Sequence, residues 1–119
     1  MKRQSRVHDP DHLAFIRQCD CLCCYDNIST EAAHIRFSEP RIAKFNPGVG
    51  QKPDDRFVVP LCGSCHRSQH ETGNERKWWD ERNINALLVA LALYSVSGDH
   101  EKAAQIIAAN RPINVLEAR

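Results

Sequence analysis

Two thiols and two imidazoles fall within nine residues, Cys62-Gly-Ser-Cys-His-Arg-Ser-Gln-His70, shortly after the apolar run Phe57-Val58-Val59 and Pro60. Cys62 and Cys65 have the x2 spacing by which a tight turn aims two thiolates at one zinc ion, and Cys21-x2-Cys24 is the matching upstream pair. Together the four cysteines make a closed site for a structural Zn²⁺. His66 and His70 lie four apart, so a helix beginning near Ser64 projects both rings from one face, close enough to share a second metal ion. One element would then carry two chemistries.

The elements that must position these residues are legible in outline. Residues 1–8 read as a basic, flexible arm. Asp9-Pro10-Asp11 reads as a helix start, with Asp9 as cap and Pro10 at the first helical position. The helix runs to about Gln18 with Leu13, Phe15 and Ile16 as its apolar face, and His8 and His12 read as polar surface residues. Within Cys19-Asp-Cys-Leu-Cys-Cys24 only Cys21 and Cys24 mirror the downstream spacing. Cys19 and Cys23 read as small buried or half-buried residues, unless the register is shifted and one of them ligates.

Asp26-Asn27 marks a turn. Ala33, Ile35 and Phe37 then alternate with His34 and Arg36, the pattern of a strand with one buried face. Residues 38–56 form a long loop with at most one helical turn from Arg41 to Phe45, and a loop of that length usually serves function. Phe57 to Val59 is a second short strand with Pro60 at its end, where the missing donor does least harm. A helix from Ser64 to about Glu71 closes at Gly73, and Asn74 to Arg82 is another helical segment with Trp78 or Trp79 in the core. Asn85 caps a helix over 86–96, and Asp99 caps a last one through Ala109. The stretch from Ala86 to Tyr94 is apolar on all sides. It must be covered by the Trp78-Trp79 segment, by the last helix, or by a second copy in a homodimer joined through the C-terminal helices.

With 119 residues the chain reads as one domain, 1–119, with an arm (1–8), a zinc-braced core (19–73) and a helical C-terminal extension (74–119). The net charge of +1 excludes a strongly basic protein, yet residues 34–77 hold eight Lys/Arg against five Asp/Glu. That imbalance hints at a polyanionic partner. The charged N-terminus lacks the apolar stretch of a secretory signal, so the thiols are expected to be reduced and the protein soluble and cytoplasmic. The longest apolar run, nine residues, is about half of the roughly 20 that a membrane span needs, so no membrane partner is expected.

In chain order the pieces are Cys-x2-Cys, a strand with His34, a long basic loop, a strand, then Cys-x2-Cys-His-x3-His on a helix. That order resembles the HNH endonucleases, the ββα-metal nucleases, in the subgroup braced by a four-cysteine zinc. The stretch Glu31-Ala-Ala-His-Ile-Arg36, the segment from Gly48 to Cys62 and the run Cys65 to His70 look closest to small nucleases carried by phages and prophages. The resemblance covers residues 19–73. It implies an α+β fold in which a ββα-metal finger with a structural four-cysteine zinc site is flanked by an N-terminal helix and C-terminal helices. The implied activity is metal-dependent endonucleolytic hydrolysis of phosphodiester bonds in DNA, in phage or prophage recombination, repair or DNA processing.

Such hydrolysis needs a base to deprotonate water and a cation to neutralise charge on the phosphate and the leaving oxygen. The resemblance gives the first role to His34, and gives His66 and His70 the divalent ion, which could be Mg²⁺, Mn²⁺, Ni²⁺ or Zn²⁺. The residue before the base, often Asp or His in the family, is Ala33 here. The cation would therefore have two protein ligands plus water and phosphate, unless Glu31 or Glu39 filled in. The family's orienting Asn has its nearest candidate in Asp55, or in Asp54. Arg36, Arg41, Lys44, Lys52, Arg56 and Arg67 surround the implied centre and would contact the DNA backbone with little sequence specificity. Two other readings keep the cysteines: a non-catalytic zinc-ribbon nucleic-acid-binding module, and a scaffold in which His66 or His70 replaces a thiol in the structural site.

Overall fold

Asp9 opens helix α1 (Pro10–Arg17), its carboxylate accepting the backbone N–H of His12. In the computed structural model, which describes residues 6–24, 26–42 and 53–111, six further elements and one 3₁₀ turn follow. They are β1 (Thr30–His34), the turn Pro40–Ile42, β2 (Val58–Cys62), α2 (Gly63–Thr72), α3 (Glu75–Glu81), α4 (Ala86–Ser95) and α5 (His100–Asn110). The fold is mixed α+β. The starts of α3, α4 and α5 repeat the device of α1: Asn74, Asn85 and Asp99 accept from the N–H groups of Lys77, Leu88 and Lys102. Each such cap contributes about 1 kcal/mol. At the far end of α2, Gly73 takes φ +73°, the left-handed conformation that lets a helix stop without strain.

The sheet is a single antiparallel pair with Ala33 opposite Val59 and His34 opposite Val58. Its second strand begins one residue later than expected and runs through Cys62, so Pro60 sits mid-strand and not at an end. The register explains why proline is tolerated there. Ile35 donates its N–H to Phe57 O, and antiparallel bonding alternates, so Ala32 and Pro60 face each other as a non-bonded pair. The absent donor of Pro60 would have pointed away from β1. Its carbonyl points the same way and accepts the N–H of Leu22 at 2.9 Å, which ties the Cys21–Cys24 stretch to the outer edge of β2.

Helices α1, α2 and α4 all touch the sheet, while α3 packs on α2 and α5 on α4. The core runs through Ile16, Leu22, Val59, Leu61, Trp78 and Leu93. Both tryptophans are buried, and Trp78 donates its indole N–H to Ser68 Oγ across the α2–α3 interface. Most of α4 is covered within the chain, but Leu88 remains 61% exposed. No helix among the described residues is long and apolar enough to cross a membrane.

His12, expected on the surface, is fully buried. It lies on the same face as Phe15 and Ile16, with Nδ1 2.7 Å from Ser97 Oγ and the ring edge-on to Tyr94. Those partners come from the far end of the chain. Burial pushes the ring below its ordinary value of 6.5, outweighing the pull of the Asp9 and Asp55 carboxylates. The unfolded chain takes up a proton that the folded chain resists. Stability is therefore whole above about pH 6.5 and declines as the pH falls below it. Urea midpoints at about pH 7.5 and about pH 5.5 should fall with acid in the parent and fall less in His12→Phe. Parallel shifts in the two proteins would show that His12 does not titrate against the fold.

Candidate metal centre

Each cysteine pair is shaped by its own backbone. The Cys21 sulfur accepts the N–H of Cys23 and the Cys62 sulfur that of Cys65, both at 3.4 Å. Cys62 is also the cap residue of α2, so the strand-to-helix junction delivers it and Cys65 to one side. The Leu22–Pro60 hydrogen bond brings the upstream pair alongside. As a result the Sγ atoms of Cys21, Cys24, Cys62 and Cys65 all lie within 4.8 Å of one another, with Cys24 and Cys62 at 3.4 Å.

A tetrahedral zinc with bonds near 2.3 Å requires sulfur separations of about 3.8 Å, so these four residues can hold a metal ion such as zinc. Their electrostatics point the same way. Burial opposes charge on Cys62, but the Cys65 N–H and the neighbouring thiols outweigh it and push this thiol down. Burial and the neighbouring sulfurs push Cys65 up, and Cys24 also rises. A bound dication would stabilise all four as thiolates. Cys19 and Cys23 stand outside the group, with burial pushing their thiols up to about 11 and about 12. Cys19 spends its hydrogen on Phe15 O.

One turn further along α2, His66 and His70 bring their Nε2 atoms to 3.2 Å. Glu31, from the start of β1, reaches His66 Nδ1 at 2.7 Å. Among the described residues no third Cys, His, Asp or Glu joins this pair at metal-binding distance. His34, three residues after Glu31 on the same strand, makes a separate pair: its Nε2 is 2.8 Å from Asp55 Oδ1. Asp55 is 3% exposed. Burial alone would raise its pKa, but the His34 ring and the Asp9 backbone N–H outweigh burial and hold the carboxyl below the usual range. The second oxygen accepts that Asp9 N–H at 2.8 Å and lies 3.4 Å from His8 Nδ1, while Asp55 N–H donates to Val7 O. The chain just before α1 thus wraps the carboxylate, an arrangement that no spacing between positions 9 and 55 announces.

The six basic residues singled out in the sequence divide three ways. Arg41 is held by Glu39 through two hydrogen bonds, and Arg56 likewise by Asp54. Glu39 and Asp54 are therefore engaged away from His66 and His34. Arg36 and Arg67 are exposed and form no ion pair with a carboxylate among the described residues. Lys44 and Lys52 lie outside the described residues, as does most of the helical turn expected near Arg41.

Residues 1–97 match the model of a family described as "Protein of unknown function (DUF968)". The chain belongs to this family. The matched stretch of the DUF968 chain takes in both cysteine pairs, Glu31, His34, Asp55, His66 and His70, and ends just past α4. No curated protein and no solved structure matches the chain.

Zinc binding and folding should be inseparable here, because structural zinc contributes roughly 10–16 kcal/mol in small zinc-finger peptides. Cys62→Ala should yield little folded protein and less than one zinc per chain by elemental analysis, whereas Cys19→Ser should keep both. Folded, zinc-replete Cys62→Ala would overturn the assignment.

Proposed function

We propose that this DUF968 chain is a metal-dependent endonuclease of the HNH, ββα-metal type that hydrolyses DNA phosphodiester bonds. The observation that carries the reading is the His34–Asp55 pair. A carboxylate held ionised can only accept, so the ring nitrogen facing it, Nε2, carries the hydrogen. The lone pair of the neutral ring is then on Nδ1. That nitrogen takes the proton of a water molecule as the water oxygen attacks phosphorus, and the bond from phosphorus to the leaving oxygen breaks. Asp55 orients the imidazole and steadies the imidazolium that forms, the part a buried carboxylate plays beside a catalytic histidine.

His66 and His70 would hold the divalent ion, Mg²⁺, Mn²⁺, Ni²⁺ or Zn²⁺, through their Nε2 atoms. When bound, it supplies charge neutralisation for the phosphate and the leaving oxygen. A site with two protein nitrogens leaves coordination positions free for water and substrate, as catalytic sites require and closed structural sites do not. Arg36 and Arg67, free of carboxylate partners among the described residues, would be available to meet backbone phosphates. Among the described residues base edges have no evident reader, so the reading is of phosphate recognition with little sequence preference, in phage or prophage DNA processing.

Zinc-replete protein should cut plasmid or branched DNA only when Mg²⁺, Mn²⁺ or Ni²⁺ is added. His34→Ala should lower single-turnover cleavage by about 10²–10⁴-fold with DNA affinity unchanged, since a positioned base contributes rate and phosphate contacts contribute affinity. Binding without cleavage of any substrate with any of these ions would instead favour a non-catalytic zinc-ribbon module.

A further inference from the structure

The contact between Glu31 and His66 is the shortest made by either helix histidine, and it has a consequence for the neighbouring ring. Glu31 Oε1 lies 2.7 Å from His66 Nδ1. A carboxylate has no hydrogen to give, so Nδ1 is the donor and the lone pair of neutral His66 is on Nε2. That lone pair is the one 3.2 Å from His70 Nε2. In the absence of a cation His70 therefore donates its Nε2 hydrogen to His66. The geometry is supported from below by Gly63. A Cβ there would stand 3.5 Å from Glu31 Oε2 and 3.0 Å from Arg67 Nη1, so glycine leaves room for the carboxylate and the guanidinium over the first turn of α2.

We infer that Glu31 is a positioning residue, not a metal ligand: it locks His66 in the tautomer that presents Nε2, beside Nε2 of His70, as one half of a two-nitrogen cation site. This rests on the reading of His66 and His70 as the cation's ligands. A carboxylate behind a histidine fixes the ring's orientation and raises the basicity of the outward nitrogen, which is the usual role of such partners around metal-binding imidazoles. The proton inventory differs for the two rings. A cation held by both rings would take the two Nε2 lone pairs, so His66 would keep its Nδ1 hydrogen while His70 would release its Nε2 hydrogen to solvent and take one up on Nδ1. Only one of the two rings changes tautomer on binding.

The test is two-bond ¹H–¹⁵N correlation spectroscopy on histidine-labelled, zinc-replete protein at about pH 8, above the ordinary imidazole range. The parent should show His66 with its hydrogen on Nδ1. Glu31→Ala should show a mixture, and Glu31→Gln, whose amide oxygen still accepts, should restore the parent pattern. One further equivalent of Zn²⁺ should move the His70 signals to the Nδ1–H form and leave the tautomer of His66 as it was. By calorimetry, Mn²⁺ should bind Glu31→Ala about 10–100-fold more weakly than the parent, with the structural zinc and thermal midpoint unchanged. A His66 tautomer and an Mn²⁺ affinity both indifferent to Glu31→Ala would overturn the assignment. A Glu31-dependent tautomer in a protein that cuts no DNA would support it while removing the nuclease reading.

Discussion

Four sulfurs within 4.8 Å of one another join stretches of chain whose closest thiols, Cys24 and Cys62, are thirty-eight positions apart. The cation-binding half of the proposed chemistry hangs from that junction. Cys62 ends β2 and caps α2, so whatever fixes the sulfurs also fixes where α2 begins and hence the direction in which His66 and His70 point. What holds the upstream pair beside β2 is Leu22, buried and hydrogen-bonded to Pro60, together with the sulfurs themselves. Closing a loop of this length costs entropy that a metal ion at its neck can offset.

A second constraint works from the opposite end of β1. Asp55 is buried with its charge, which is costly unless each oxygen is satisfied. One oxygen faces His34 and the other takes the Asp9 N–H, so the same carboxylate that orients a histidine also anchors the start of α1. Strand β1 thus connects a cysteine-braced helix bearing His66 and His70 to a carboxylate-braced histidine at position 34. Glu31 and His34 stand three residues apart on that strand, about 10 Å along it. Each reaches a different partner.

Much of this was readable from the chain itself. Caps are local, and Asp9, Asn85, Asp99 and Gly73 each act where a short-range rule puts them. The cysteine pairing was readable because two equal spacings imply a common ligand. What could not be read depends on contacts across the fold. His12 looks like a polar residue on a polar turn until Ser97, eighty-five positions away, closes over it. Pro60 looks like a strand terminator unless the register with Ala32 is known. Glu31 appeared as a substitute ligand, and only the distance to His66 Nδ1 turns it into a partner behind the ring. Arg41 and Arg56 show the converse limit, since a basic residue in a loop reveals nothing about the carboxylate beside it.

The separation of the two metal functions is tested most directly by anomalous diffraction from zinc-replete crystals soaked in Mn²⁺, recorded at energies that distinguish the two elements. A zinc peak is expected among the sulfurs of Cys21, Cys24, Cys62 and Cys65, with a distinct manganese peak between the Nε2 atoms of His66 and His70. A zinc peak with an imidazole in place of one sulfur, or no manganese at the two histidines, would contradict it.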